Sequence, residues 1–385
     1  MTTRRRVLQL LATAPILSAC GKGNLPDPVA AWREPGAAEQ DPRRFALAHA
    51  ILAPNPHNTQ PWLVALDGDE GMTLSCDLDR RLPFTDPNDR QITLGCGAFL
   101  YNYWIALAQH GRSCTFEFFP EGAPAPGARL DARPLVHARI GAPLADATGP
   151  EHYFDQITAR RTNRNVYDAR VPEAATLQGV VDAATNWLEA GAAPFTAHFE
   201  TEARRVAALR DLVWRGFDRE TRTHGAGVET YKWLRIGARE IAEHRDGLAI
   251  TQPLAPALKA IGLFGEDDFV NPDSFVNETN LKEWKAKAEG APAFIWLKTP
   301  EDTPVHRLQA GMAYARMNLA ATKAGLAMHP WSQTLQEYAE MADLYADAKR
   351  LLGAENETVQ MLVRVGYAEP VEPAPRRGVD AILRT

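Results

Sequence analysis

The sequence predicts an α+β protein assembled from two related halves, with antiparallel strands set against helices. Three observations carry this. Apolar runs at residues 63–66 and 72–78 flank Asp67-Gly68-Asp69-Glu70-Gly71, and turn residues between two strand-like runs read as a β-hairpin. Helical apolar spacing recurs in long segments separated by short strand-like runs. Gly97 and Gly111 lie fourteen positions apart, as do Gly311 and Gly325, with Ala106 and Ala320 at matching places between them. Each of these segments reads as a helix that leaves through glycine, a common C-terminal punctuation.

Taken in order, a short helix is expected over 45–52. The stretch Pro56-His57-Asn58-Thr59-Gln60-Pro61-Trp62 follows, and its prolines keep it out of a helix interior and a central strand. The hairpin comes next, then a loop over 80–89, a helix over 97–110, and strands at 114–119 and 135–140. A joint over 143–149 divides a first half, 44–146, from a second, 147–385. The second half opens on a helix over 151–159. Amphipathic helices over 177–188 and 203–217 surround a strand at 195–199. Residues from about 222 to 291 are long and weakly periodic, which is usually functional or mobile, and they read as a lid. A strand at 293–298, a helix over 305–324, a loop over 325–333, a helix over 338–352 and a buried strand at 359–365 complete the half. The tail ends on an apolar stretch at 379–383.

The chain has 385 residues, 45% hydrophobic and 23% charged, which is ordinary globular material and enough for a large core. A net charge of −6 argues against nucleic acid as a general partner. Residues 1–20 carry an export pattern. Thr3-Arg4-Arg5-Arg6-Val7-Leu8-Gln9 matches a twin-arginine signal, and Leu17-Ser18-Ala19-Cys20 is a lipobox that would leave Cys20 as a lipidated N-terminus. A membrane-anchored, periplasm-facing lipoprotein is the expectation, with residues 21–43, rich in Pro, Gly and Ala, as its tether. Cys76, Cys96 and Cys114 fit no zinc or CxxC spacing and read as small buried apolar residues.

Chemistry concentrates in four places. His57, Asn58 and Gln60 each donate and accept hydrogen bonds, which suits a planar ligand with alternating donor and acceptor edges. A capped turn is the plain alternative. Arg160-Arg161-Thr162-Asn163-Arg164 gathers planar cationic forks, each able to grip two phosphate oxygens at once. Its plain alternative is a solvated basic helix end. Gly325-Leu326-Ala327-Met328-His329-Pro330-Trp331-Ser332-Gln333 is a glycine-led loop, and Arg376-Arg377 is a basic pair near the C-terminus. G-x-S-x-G, H-E-x-x-H, P-loop and G-x-G-x-x-G patterns do not occur, and no metal-ligand set is expected.

Together these four stretches resemble the FMN-dependent nitroreductase family. Ala53-Pro54-Asn55-Pro56-His57-Asn58-Thr59-Gln60-Pro61-Trp62 is similar to its QPW loop, and Arg160 to Arg164 to its phosphate clamp. The glycine-led loop resembles the one beside the flavin ring, and Gly366-Tyr367 followed by Arg376-Arg377 its C-terminal basic pair. The QPW loop precedes the clamp here, which resembles a fused subgroup in which one chain stands in for a dimer. The resemblance implies a three-layer fold, a mostly antiparallel sheet between helices, and one FMN at the junction of the halves. It implies binding by Pro56, His57, Asn58, Gln60, Arg160, Arg161, Thr162, Asn163, Arg164, His329, Pro330, Trp331, Ser332, Arg376 and Arg377. No catalytic protein group is expected, because the flavin does the chemistry. Two-electron exchange between a donor and a small conjugated or nitro substrate is the implied activity. A flavin store without turnover is the alternative.

Overall fold

The computed structural model describes residues 25–125, 127–143, 153–185 and 195–384. The export pattern, Cys20 and all but Pro143 of the stretch expected to divide the halves lie outside these residues. Asp41 starts helix α1 (Pro42–Ala50) by accepting from the Arg43 N–H, with proline in the first turn, where its missing donor is harmless. Strands β1 (Trp62–Asp67) and β2 (Gly71–Cys76) form the expected hairpin, with Asp67 opposite Gly71. Helix α2 (Arg90–Gln109) starts well before its expected position. The Asp86 carboxylate accepts from the Gln91 and Ile92 N–H groups, which satisfies donors that the first turn would otherwise leave open. Strands β3 (Arg112–Phe118) and β4 (Val136–Pro143) complete an antiparallel sheet of order β1-β2-β4-β3.

The second half continues with α3 (Gln156–Ala159), α4 (Ala174–Thr185), β5 (Thr196–Glu200) and α5 (Ala203–Arg222). The weakly periodic region is ordered small pieces: α6 (His224–Lys232), β6 (Leu234–Ile236), α7 (Gly237–His244), β7 (Leu248–Ile250), α8 (Ala255–Ala260), α9 (Glu266–Val270) and α10 (Phe275–Glu289). Then come β8 (Ala293–Thr299), α11 (Pro304–Lys323), β9 (Ala327–Pro330), α12 (Ala342–Leu351) and β10 (Thr358–Gly366). Their antiparallel sheet has the order β5-β8-β10-β9, the same connectivity as the first. In each half a 20-residue helix joins the second strand to the third. The glycine-led stretch, expected as loop, therefore contains a strand. β9 lies at the sheet edge, where Pro330 is tolerated.

The halves meet where α2 crosses α11. A Cβ on Gly97 would sit 2.0 Å from the Leu308 carbonyl oxygen, and one on Gly311 would sit 2.1 Å from that of Leu94. Each leucine lies three residues before the glycine of its own helix, so the contact is reciprocal, as at a two-fold interface. Only glycine permits so close a backbone approach. Leu308, Met312, Ala315 and Leu319 of α11 join Phe99 and Tyr103 of α2 in one core. The tail returns to the first sheet: Val64 N–H donates to Ile382 O, and Arg384 N–H to Val64 O.

Residues 25–43, read as tether, pack against this body instead. Trp32 is 7% exposed, and its Nε1 donates to Ala374 O at 2.8 Å. Cys76 and Cys96 are buried as expected, and Cys114 is partly so. Among the described residues no helix is long and apolar enough to cross a membrane.

Candidate functional site

The proline-bracketed loop folds into a 3-10 turn, Pro56–Asn58, with His57, Asn58 and Gln60 at φ of 49°, 54° and 53°. Side chains rarely adopt this left-handed conformation, and it persists only where the surroundings impose it. Asn55 Oδ1 accepts from Gln60 N–H at 2.8 Å, and Asn58 O accepts from Gly247 N–H at 3.0 Å. Asn58 Nδ2 donates to Gly247 O and Pro375 O, both at 3.0 Å, while its Oδ1 accepts from Arg376. Gln60 donates to Arg245 O and accepts from Arg377 N–H, each at 2.9 Å. The two amides expected at a ligand edge thus join loop, insertion and tail at one point. The His57 ring makes no hydrogen bond among the described residues. Burial first, then the charge of Arg164, lowers it to about 4, so it is neutral at pH 7.

Beside this turn lie five arginines. Arg160, Arg376 and Arg377 are buried, Arg161 is half-buried, and Arg164 is exposed to solvent although neighbouring groups desolvate it. Arg160 Nη2 donates to Leu52 O at 3.1 Å, but its Nε and Nη1 are buried without partners. Arg161 reaches Thr158 O at 2.7 Å and Arg160 O at 2.8 Å. Arg376 reaches Ala53 O at 3.1 Å, and Arg377 reaches Gln60 O at 2.6 Å. The Nε of Arg161, Arg376 and Arg377 is orphaned in each case. Arg164 has no hydrogen bond or ion pair among the described residues. Burial lowers Arg160 to about 10, with repulsion from Arg161 and Arg164 against an opposing pull from Tyr314. Burial, then Arg160 and Arg161, push Arg376 well below its usual value. Buried cations with open donors are costly, and an anion whose oxygens only accept offsets that cost. The residues present therefore fit a phosphate.

The other expected residues divide. His329 is buried, and Arg364 Nε donates to its Nδ1 at 3.1 Å. A guanidinium only donates, so the neutral ring carries its proton on Nε2. Burial, then Arg364 and Arg164, hold His329 well below its ordinary value. Trp331 is fully buried, its ring 5.5 Å from that of Trp284; its backbone N–H donates to Leu362 O at 2.8 Å, while its indole Nε1 has no partner among the described residues. Ser332 Oγ donates to Gln91 at 3.3 Å. Pro330 is partly buried in β9, and Trp331 and Ser332 hold that strand's end in place. Asn163 is a tie as well: its N–H donates to Met328 O, and its Nδ2 to Glu369 O at 2.7 Å. Thr162 and Pro56 are half-buried at the margins.

Sequence reasoning missed Trp32, Tyr314, Arg364 and the anchors of the insertion. Arg364 is fully buried, 4.1 Å from the Tyr167 ring centroid and 5.2 Å from that of Trp331. A lone arginine inside an apolar strand pattern was the available signal. Asp246 pairs with Arg80 at 2.7 Å and Arg235 at 2.8 Å. Glu229 accepts from Phe84 N–H and Thr85 N–H at 2.9 Å.

Fold and site define a two-half α+β protein with a cluster of arginines beside the joining turn. The chain belongs to the nitroreductase family, whose family pattern, described as the nitroreductase family, matches residues 157–367. A Mycobacterium tuberculosis H37Rv protein assigned by name to the NAD(P)H nitroreductases is 28% identical over 352 residues, covering 88% of this chain and 90% of the relative. The protein PigM of a Serratia species, likewise assigned to the NAD(P)H nitroreductases, is 24% identical over 355 residues, covering 88% and 92%. The FMN-dependent nitroreductase NfnB of Mycobacterium smegmatis, solved with NADPH, aligns with a TM-score of 0.37 at 19% identity, covering 60% of this chain and 96% of that one.

Proposed function

We propose that this chain is an FMN-binding oxidoreductase that exchanges two electrons between a nicotinamide donor and a small conjugated or nitro substrate. The observation that carries the reading is the set of orphaned N–H groups on buried Arg160 and Arg376 and half-buried Arg161. These three would hold the phosphate, which riboflavin lacks. Arg164, with no hydrogen-bonded partner, and neutral His57 offer donors toward the isoalloxazine. When bound, the flavin supplies the electron transfer, so the protein's part is to bind, orient and exclude water. Family membership and relatives assigned to the NAD(P)H nitroreductases support the donor class. The clamp belongs to one half and the turn to the other, and the reciprocal helix crossing supports one chain acting as a pseudo-dimer with one FMN. Anaerobic mixing with NADPH tests the activity: bleaching of the flavin band is expected.

A second reading rests on the insertion. Gly247 and Asn58 exchange two hydrogen bonds, and Asp246 lies buried between two arginines, so the lid is fastened to the turn. Bleaching by dithionite but not by NADPH would favour a flavin store. The twin-arginine and lipobox residues lead us to propose export to a membrane-anchored, periplasm-facing position. Arg4→Lys with Arg5→Lys should keep the protein in the cytoplasm, and Cys20→Ser should abolish lipid labelling; unchanged export or labelling would overturn the corresponding claim.

A further inference from the structure

The arginine group has one partner that nothing in the sequence announces. Trp32 lies under three of the guanidinium groups: Arg161 at 4.8 Å from the ring centroid, Arg376 at 5.2 Å and Arg160 at 5.8 Å. An indole face attracts a cation through its quadrupole without taking any N–H donor. It therefore steadies like charges that repel one another and leaves their donors open. Those open donors are the orphaned Nε atoms of Arg160, Arg161 and Arg376 and the Nη1 of Arg160. A carboxylate in the same place would neutralise the group and occupy it.

The segment that delivers Trp32 is held mainly by packing, with Trp32 in the main core and Val29 and Ala31 against it. The Trp32 indole Nε1 donates to Ala374 O at 2.8 Å, and Pro28 O accepts from Arg376 N–H at 2.9 Å. Both partners lie in the tail that carries the basic pair. Arg33 and Asp27 pair with each other near the surface rather than with the body.

We propose that residues 27–36 are a strap forming the inner wall of the phosphate site, and that Trp32 is a positioning residue that keeps the arginines aimed at the anion. The proposal rests on the phosphate reading of the site. Without the indole face the guanidinium groups lose their common aim and the grip on the anion weakens, so Trp32 sets retention as well as affinity.

The test uses the full chain and compares Trp32→Ala and Trp32→Phe with wild type. FMN should dissociate from Trp32→Ala at least about tenfold faster than from wild type. Riboflavin binding should stay within about twofold, and Trp32→Phe, which keeps an aromatic face, should fall between. Unchanged FMN release in Trp32→Ala, or an equal loss for riboflavin, overturns the proposal. A second arm needs no flavin: millimolar pyrophosphate should raise the melting temperature of ligand-free wild type more than that of either variant. If wild type responds to pyrophosphate in this graded way but takes no FMN, the flavin reading fails and the strap stands. If all three chains respond alike, the strap fails, whatever the flavin does.

Discussion

Replacing Arg160 with Met separates what the arginine group costs from what it does. Arg160 is 3% exposed, and burial lowers it from its ordinary value to about 10. The cation is present at pH 7 in both folded and unfolded chains, so the lowering measures how strongly the fold disfavours it, about 3 kcal/mol. Linkage gives the sign. A cation lowered by folding destabilises the fold at all pH values below the lowered value, and the penalty fades as pH rises from about 10 toward the ordinary arginine value. Met keeps much of the volume and adapts to irregular space. It loses the bond to Leu52 O, about 1 kcal/mol. Ligand-free Arg160→Met should therefore be more stable than wild type, by about 1–2 kcal/mol in urea unfolding. FMN affinity should move the other way, because a charge-assisted contact of about 1.5–3 kcal/mol is gone. That is about a tenfold to hundredfold rise in Kd by fluorescence quenching, with riboflavin hardly affected. A structural arginine cannot give opposite signs in the two assays. A less stable ligand-free variant, or equal losses for both flavins, refutes the reasoning.

Gly311→Ala places a Cβ 2.1 Å from Leu94 O and should destabilise the whole chain by more than about 3 kcal/mol in urea unfolding; a near-neutral result would mean that the helices part easily. Asp246→Ala removes the acceptor shared by Arg80 and Arg235, contacts worth about 1.5–3 kcal/mol each. Hydrogen exchange over residues 234–250 should quicken, iodide should quench bound flavin more readily, and unchanged exchange would mean that the insertion is held elsewhere. His57 should titrate near pH 4 by NMR, and Arg164→Gln should raise that midpoint. The unfolded chain binds this proton more readily than the fold, so His57's contribution to stability should decline as pH falls from 6.5 toward 4.

Much of the architecture was legible because local chemistry and tertiary role agree. The hairpin at 62–76 has its turn residues where the strands need them, and the glycine spacing pointed to two related halves, whose matching helices meet at Gly97 and Gly311. The clamp and basic pair stood out as dense charge. What escaped depends on partners distant in sequence. Trp32 is buried because its indole meets Ala374, 342 residues on, and no local pattern in a Pro/Gly/Ala-rich segment reveals that. β9 is a strand through its pairing with β10, against a proline that locally suggests loop. Asn58 and Gln60 had the right chemistry for a ligand edge, but the insertion and tail take up their donors first. The insertion read as weakly periodic because most of its helices are short; anchors on Phe84, Thr85 and Arg80, distant in sequence, help to hold it.

The most direct test is the flavin content of freshly purified full-length protein. Acid extraction, chromatography against FMN and riboflavin, and protein quantitation give identity and stoichiometry together. The account predicts FMN, with its phosphate, at one per chain. Two flavins per chain, riboflavin in place of FMN, or a chain that stays colourless when FMN is added would contradict a single phosphate-gripping site at the meeting of the two halves.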